Sequence, residues 1–110
     1  MKNKVTWLTL LDKLVSSMTN SSKRLEYPFN RILELVDAPS STVLNLALSK
    51  LVLEHKLEVF YRIRSPLTGA GIKEFRSILD IPETIYDDTA DNYFAVNIEK
   101  DVETIYRAPA

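Results

Sequence analysis

The sequence contains no cysteine, which excludes a disulfide framework and a thiolate metal site. Its single histidine, His55, has no second imidazole with which to share a metal, and near a helix C-terminus it reads as a cap or a partly buried spacer. Two glycines and five prolines in 110 residues leave no room for a long flexible linker. No apolar run approaches the ~20 residues that a membrane-spanning helix needs. A signal peptide is not expected either. Lys2 and Lys4 are basic, but Thr9, Asp12 and Lys13 interrupt the apolar stretch, and no small-residue cleavage site follows. The expectation is a cytoplasmic protein with no membrane association.

Catalytic signatures are also missing. There is no phosphate-binding glycine loop, no dinucleotide fingerprint and no G-x-S-x-G elbow; the "GAG" at 69–71 reads as a turn. "YDDTADN" (86–92) offers oxygen ligands but lacks the spacing and the distal glutamate of an EF-hand loop, and so reads as a solvated acidic turn. With no nucleophile–base constellation, the chain is not expected to be an enzyme, to carry a cofactor or metal, or to bind a small molecule.

What is present is an ordinary globular composition, with 45% hydrophobic and 26% charged residues, suited to a single domain over residues 1–110. The net charge is −1, but its distribution is uneven. Residues 1–64 hold ten Lys/Arg against six Asp/Glu, whereas residues 65–110 hold four against nine.

Hydrophobic periodicity predicts a helix over 5–19, with Trp7, Leu8, Leu10, Leu11, Leu14, Val15 and Met18 on one arc. A short extended piece follows. Pro28 then suits the first turn of a second helix, "PFNRILELV", with Phe29, Ile32, Leu33 and Val36 as its stripe. "DAPSS" separates this from a third helix over about 41–56, capped by Ser40 or Ser41. Its core arc is Val43, Leu44, Ala47, Leu48 and Leu51. "LEVFYRIR" reads as a strand, with Val59, Tyr61 and Ile63 on one face and Phe60, Arg62 and Arg64 on the other. Residues 65–92 read as a long acidic connection, tacked down by a short helical turn near Ile81, Ile85 and Tyr86. β character resumes from Tyr93, with Val102, Thr104 and Tyr106 alternating with Glu103, Ile105 and Arg107. One core is expected to gather Trp7, Leu11, Leu14, Ile32, Leu33, Leu44, Leu48, Leu51 and Ile63.

The capped turn "DAPSSTVLNLALSKLVLEHKLEV", with "FYRIR" directly behind it, closes an order of helix, short strand, helix, helix, strand, loop, strand. This order resembles the winged-helix superfamily over the whole chain. The resemblance implies an α+β fold: a three-helix core followed by a β-hairpin, here with a long acidic wing loop where the family's loop is short. It also implies a third helix that in many members enters the major groove of DNA.

Two functions follow. On the third helix, Leu46 and Leu53 form a second apolar stripe nearly opposite the core arc. With Lys50, and with Asp87 and Asp88 of the acidic loop, they make a candidate surface for a protein partner or a homodimer. The chain would then be a non-catalytic interaction module, a small accessory or adaptor subunit. The alternative is a sequence-specific DNA-binding transcriptional regulator. Thr42, Asn45 and Ser49 would face the groove, with Lys56, Arg62 and Arg64 on the phosphates. Glu74, Asp80, Glu83, Asp87, Asp88 and Asp91 would repel phosphates from the wing, which favours the interaction module.

Overall fold

Helix α1 (Thr6–Asn20) buries Leu11, Val15 and Met18, a spacing that places them on one side of the helix. The computed structural model describes residues 6–109; Lys2, Lys4 and Val5, used in the sequence reading, lie outside the described residues. Trp7 and Leu14 pack on the same core, half-buried. Leu8 and Leu10, expected on that arc, are exposed, because the stripe that meets the core is narrower than the apolar arc.

Strand β1 (Glu26–Pro28) leads into α2 (Phe29–Val36). Pro28 occupies the cap position, one residue earlier than expected, with φ −66°; its fixed φ and missing N–H are tolerated there. Ile32 and Val36 are buried, with Phe29 and Leu33 packed beside them. The helix stops at Asp37, which adopts a left-handed conformation (φ 55°) and donates its amide to the Leu33 carbonyl at 3.1 Å.

Helix α3 (Ser41–Leu53) starts with Ser40 Oγ accepting the Val43 amide at 3.2 Å, the N-cap geometry expected of serine. It ends three residues before the predicted Lys56. His55 sits at φ 59°; its amide bonds to the Val52 carbonyl at 3.1 Å and that of Lys56 to the Leu51 carbonyl at 2.9 Å. Those two bonds are a Schellman motif, with His55 in the position that glycine usually fills. Leu57, next in the chain, is buried in the core.

β2 (Glu58–Arg64) pairs antiparallel with β3 (Gly71–Phe75), matching Tyr61 with Phe75, Arg62 with Glu74 and Ile63 with Lys73. A bulge follows, so that Arg64 pairs with Gly71. After a 3-10 turn (Ile78–Asp80), β4 (Thr84–Asp87) and β5 (Asn92–Ala95) form their own antiparallel sheet. A short helix, α4 (Ile98–Asp101), then leads into β6 (Val102–Arg107). The larger sheet runs in the order β1-β6-β2-β3. The fold class is therefore α+β.

The stretch 65–92 is thus not one long loop. The helical turn lies at 78–80, where Ser77 Oγ accepts the Leu79 amide at 3.2 Å, and not around Ile81–Tyr86. Ile85 and Tyr86 belong to β4, whose residues alternate between exposed and buried. That period of two was the strand signal in a segment only four residues long.

The chain forms two compact units. The first comprises the residues up to Val59 together with those from Tyr106 onward. Its core contains Leu11, Val15, Met18, Ile32, Val36, Leu44, Leu48, Leu57 and Tyr106. The second, Phe60–Ile105, buries Phe60, Ile63, Ile85 and Ile105. Ile63, expected in the helical core, is buried but outside that cluster, because the chain leaves the first unit between Val59 and Phe60.

Leu48 is fully buried, whereas Leu51 is only half-buried against the same core. Leu48→Ala is expected to cost about 2–5 kcal/mol and Leu51→Ala clearly less. Urea denaturation checks both. A Leu48→Ala cost below about 1 kcal/mol would contradict this packing.

Candidate functional site

Helix α3 is apolar on two sides, and only one of them is covered. Leu44 and Leu48 are fully buried, and Ala47, Leu51 and Val52 pack beside them. Leu46 and Leu53 are 67% and 80% exposed. At about 100° per residue they lie almost diametrically opposite Leu44. They are seven residues apart and so share one face two turns along the helix, with Lys50 exposed between them. Val43, expected on the core arc, is 39% exposed; the buried arc is centred between Leu44 and Leu48, which rotates Val43 toward the outer face. Sequence periodicity contained that signal: moving the centre of the arc by one residue exchanges Val43 for Val52.

Thr42, Asn45 and Ser49 are exposed on the same outer side. The structure therefore brings together Thr42, Asn45, Leu46, Ser49, Lys50 and Leu53 on one helix. Lys50 is the helix's only charged residue and makes no ion pair among the described residues.

The other basic candidates are engaged. Arg62 donates to Glu74 Oε2 through Nε at 3.0 Å and through Nη2 at 2.5 Å. Gly71 lies against its stem, where an added Cβ would stand 3.2 Å from the Arg62 Cδ. Arg64 donates to Glu103 Oε1 through Nε at 3.0 Å and Nη2 at 2.8 Å, and through Nη1 to the Gly69 carbonyl at 3.0 Å. In each pair two N–H groups of the guanidinium converge on one carboxylate oxygen, and such charge-assisted hydrogen bonds are stronger than neutral ones. Lys56 lies 3.7 Å from Glu54 and, outside the candidate set, Arg31 lies 3.5 Å from Glu34. Both of these are exposed pairs of the weak kind.

The acidic candidates divide. Asp88 is exposed, but Asp87 is buried and is not available to a docking partner. Its Oδ2 accepts the Ser65 hydroxyl. Its Oδ1 accepts the Thr89 amide at 3.0 Å and the Thr89 hydroxyl at 2.5 Å. Ser65 Oγ accepts the Leu67 and Thr68 amides at 3.2 and 3.0 Å, and the Thr68 and Thr89 hydroxyls meet at 2.8 Å. Asp87 thus fastens the loop after β2 to the turn between β4 and β5. The Asp-x-Thr spacing announces the local part of this network; nothing in the sequence announces Ser65, 22 residues away. Nearby, the Tyr86 phenol donates to Asp91 and packs edge-on against Tyr93, with ring centroids 5.1 Å apart. That hydrogen bond, ahead of burial and the neighbouring acidic groups, raises the pKa of the phenol.

Among the described residues, no cluster of three or more His, Asp or Glu side chains is placed to hold a metal. Nor is any helix long and apolar enough to cross a membrane. Comparison with known proteins finds no matching family model, no matching curated protein and no matching solved structure.

Burial pushes the Asp87 carboxyl up, but the hydrogen bonds from the Ser65 and Thr89 side chains and from the Thr89 and Ala90 amides outweigh it, and the group titrates below the usual aspartate range. A depressed folded-state pKa gives stability that is full above the unfolded value, about 3.9, and fades as the pH falls through the folded value. Denaturation from pH 6 downward is therefore expected to show an acid-dependent loss that Asp87→Asn removes. An unchanged acid limb in Asp87→Asn would contradict the assignment.

Proposed function

We propose that this chain is a non-catalytic interaction module of winged-helix type, a small accessory or adaptor subunit whose α3 outer face docks another protein. The observation that carries the reading is the pair Leu46 and Leu53, uncovered on a helix that already buries Leu44 and Leu48 on its opposite side. An exposed apolar stripe rimmed by Thr42, Ser49 and Lys50 has the anatomy of a binding surface. The winged-helix part rests on the element order and on β6 lying between β1 and β2 in the sheet. The segment from β3 to α4 stands between β2 and β6, where the family's wing loop is short.

A second reading, the DNA-binding regulator, has one observation in its favour: Thr42, Asn45 and Ser49 are all exposed on α3. It is weakened by the carboxylates on Arg62 and Arg64, since a paired guanidinium releases fewer counterions when a phosphate approaches. In that reading Asn45→Ala relaxes sequence preference. Lys56→Ala weakens binding to every duplex and reduces the salt slope by about one unit.

A photo-crosslinking amino acid placed at Leu46, at Leu53 and, as a control, at the exposed Asp12 separates the two readings. In cells that naturally make the protein, positions 46 and 53 are expected to give an adduct of discrete mass that survives nuclease, and position 12 to give none. Adducts that nuclease removes would favour DNA. The absence of any adduct specific to 46 and 53 would overturn the docking role.

A further inference from the structure

The exposed face of α3 also constrains what can sit on it. Leu46 and Leu53 project from one side of the helix about 10 Å apart along its axis, at 1.5 Å per residue. Lys50 stands between them, four residues after the first and three before the second. It is the only charged group in the 13 residues of α3. The nearest acidic residue beyond the helix, Glu54, pairs with Lys56. An occupant covering both leucines therefore desolvates an ammonium group that has no ion-pair partner among the described residues. Leaving it unmatched costs binding energy, and a carboxylate placed opposite removes that cost.

A second copy docked α3 against α3 does not meet the requirement. Two α3 helices packed antiparallel about the midpoint of Leu46 and Leu53 bring Lys50 beside its own copy, and parallel packing in register does the same. Either arrangement sets like charges together at the centre of the contact. Apolar side chains seven residues apart have the heptad spacing with which one helix packs along another.

We infer, on the basis of the docking role proposed above, that the partner of this surface is an amphipathic helix of another protein, carrying two apolar anchors about two turns apart with an Asp or Glu between them. The leucines supply the contact area. Lys50 selects the acidic helix over neutral and basic ones and fixes its register.

The test uses the full chain and a phage-displayed library of randomised peptides of about 16 residues. Binders are selected on the natural sequence and counter-selected on Leu53→Asp and, separately, on Leu46→Asp. Circular dichroism verifies that each variant is folded. Recovered peptides are expected to carry Asp or Glu between apolar residues at helical spacing. A synthetic consensus peptide should lose affinity about tenfold with Lys50→Gln and regain most of it with Lys50→Arg. Peptides lost on both leucine variants, yet neutral or basic or indifferent to Lys50→Gln, would overturn the acidic helix and leave the docking role standing. Recovery of no peptide sensitive to Leu53 or Leu46 would overturn both. So would self-association of the natural chain, by sedimentation, that Leu53→Asp abolishes.

Discussion

The packing of Leu44 and Leu48 against the first unit's core is the contact on which the candidate site depends. These two side chains, both fully buried among Leu11, Val15, Ile32, Val36 and Leu57, fix the rotation of α3 about its own axis. Once that rotation is set, helix geometry leaves no choice for Leu46 and Leu53: they face away. The ends of the helix reinforce the placement. Ser40 caps its start, and the Schellman turn through His55 stops it at Leu53 and returns the chain to the core at Leu57. Leu53 therefore sits in the last turn of a helix that is held at both ends and along one side. A surface held in this way is ordered in advance, which would give the proposed docking an entropic advantage over a surface that must first be ordered.

Electrostatics separates the rest of the molecule from this platform. By sequence, the front half carries an excess of basic residues that invites a nucleic-acid reading. The structure couples Arg62 to Glu74 and Arg64 to Glu103, so acidic residues of the back half neutralise two of these basic ones through the sheet. What remains on α3 is one ammonium group among leucines and small polar side chains. Asp87, an apparent member of an acidic surface, turns out to be a structural anchor whose charge is satisfied by hydroxyl and amide donors. Charge counted along a chain and charge presented on a surface are different quantities, and here the difference falls where the functional readings diverge.

The helical part of the fold was legible because its signals are local. Ser40 as a cap, the stripe Ile32–Val36 and the apolar positions Leu11, Val15 and Met18 need only period and composition. The outward direction of Leu46 and Leu53 was legible for the same reason. The end of α3 was legible only in part: His55 reads as a cap, and histidine accepts the left-handed conformation more readily than most side chains, but the periodic apolar pattern carries the helix on to Lys56, three residues past its observed end at Leu53. The stretch 65–92 hid two strand segments because they are short, and because their pairing with residues elsewhere in the chain, not their propensity, makes them strands. The Ser65–Asp87 link and the arginine–glutamate pairs are contacts across long sequence separations, and period and spacing do not report those.

The central claim is that α3 divides cleanly into a face that holds the fold together and a face that does not. Equilibrium unfolding of the double variant Leu46→Asp/Leu53→Asp tests it directly. If both leucines stand free of the protein's own core, each substitution should cost no more than about 1 kcal/mol, the scale of the helix-propensity and helix-dipole penalties of aspartate at an exposed helical position. A loss of more than about 3 kcal/mol, the scale of charges forced into a packed interior, would place these leucines inside the fold and remove the surface on which the docking role rests.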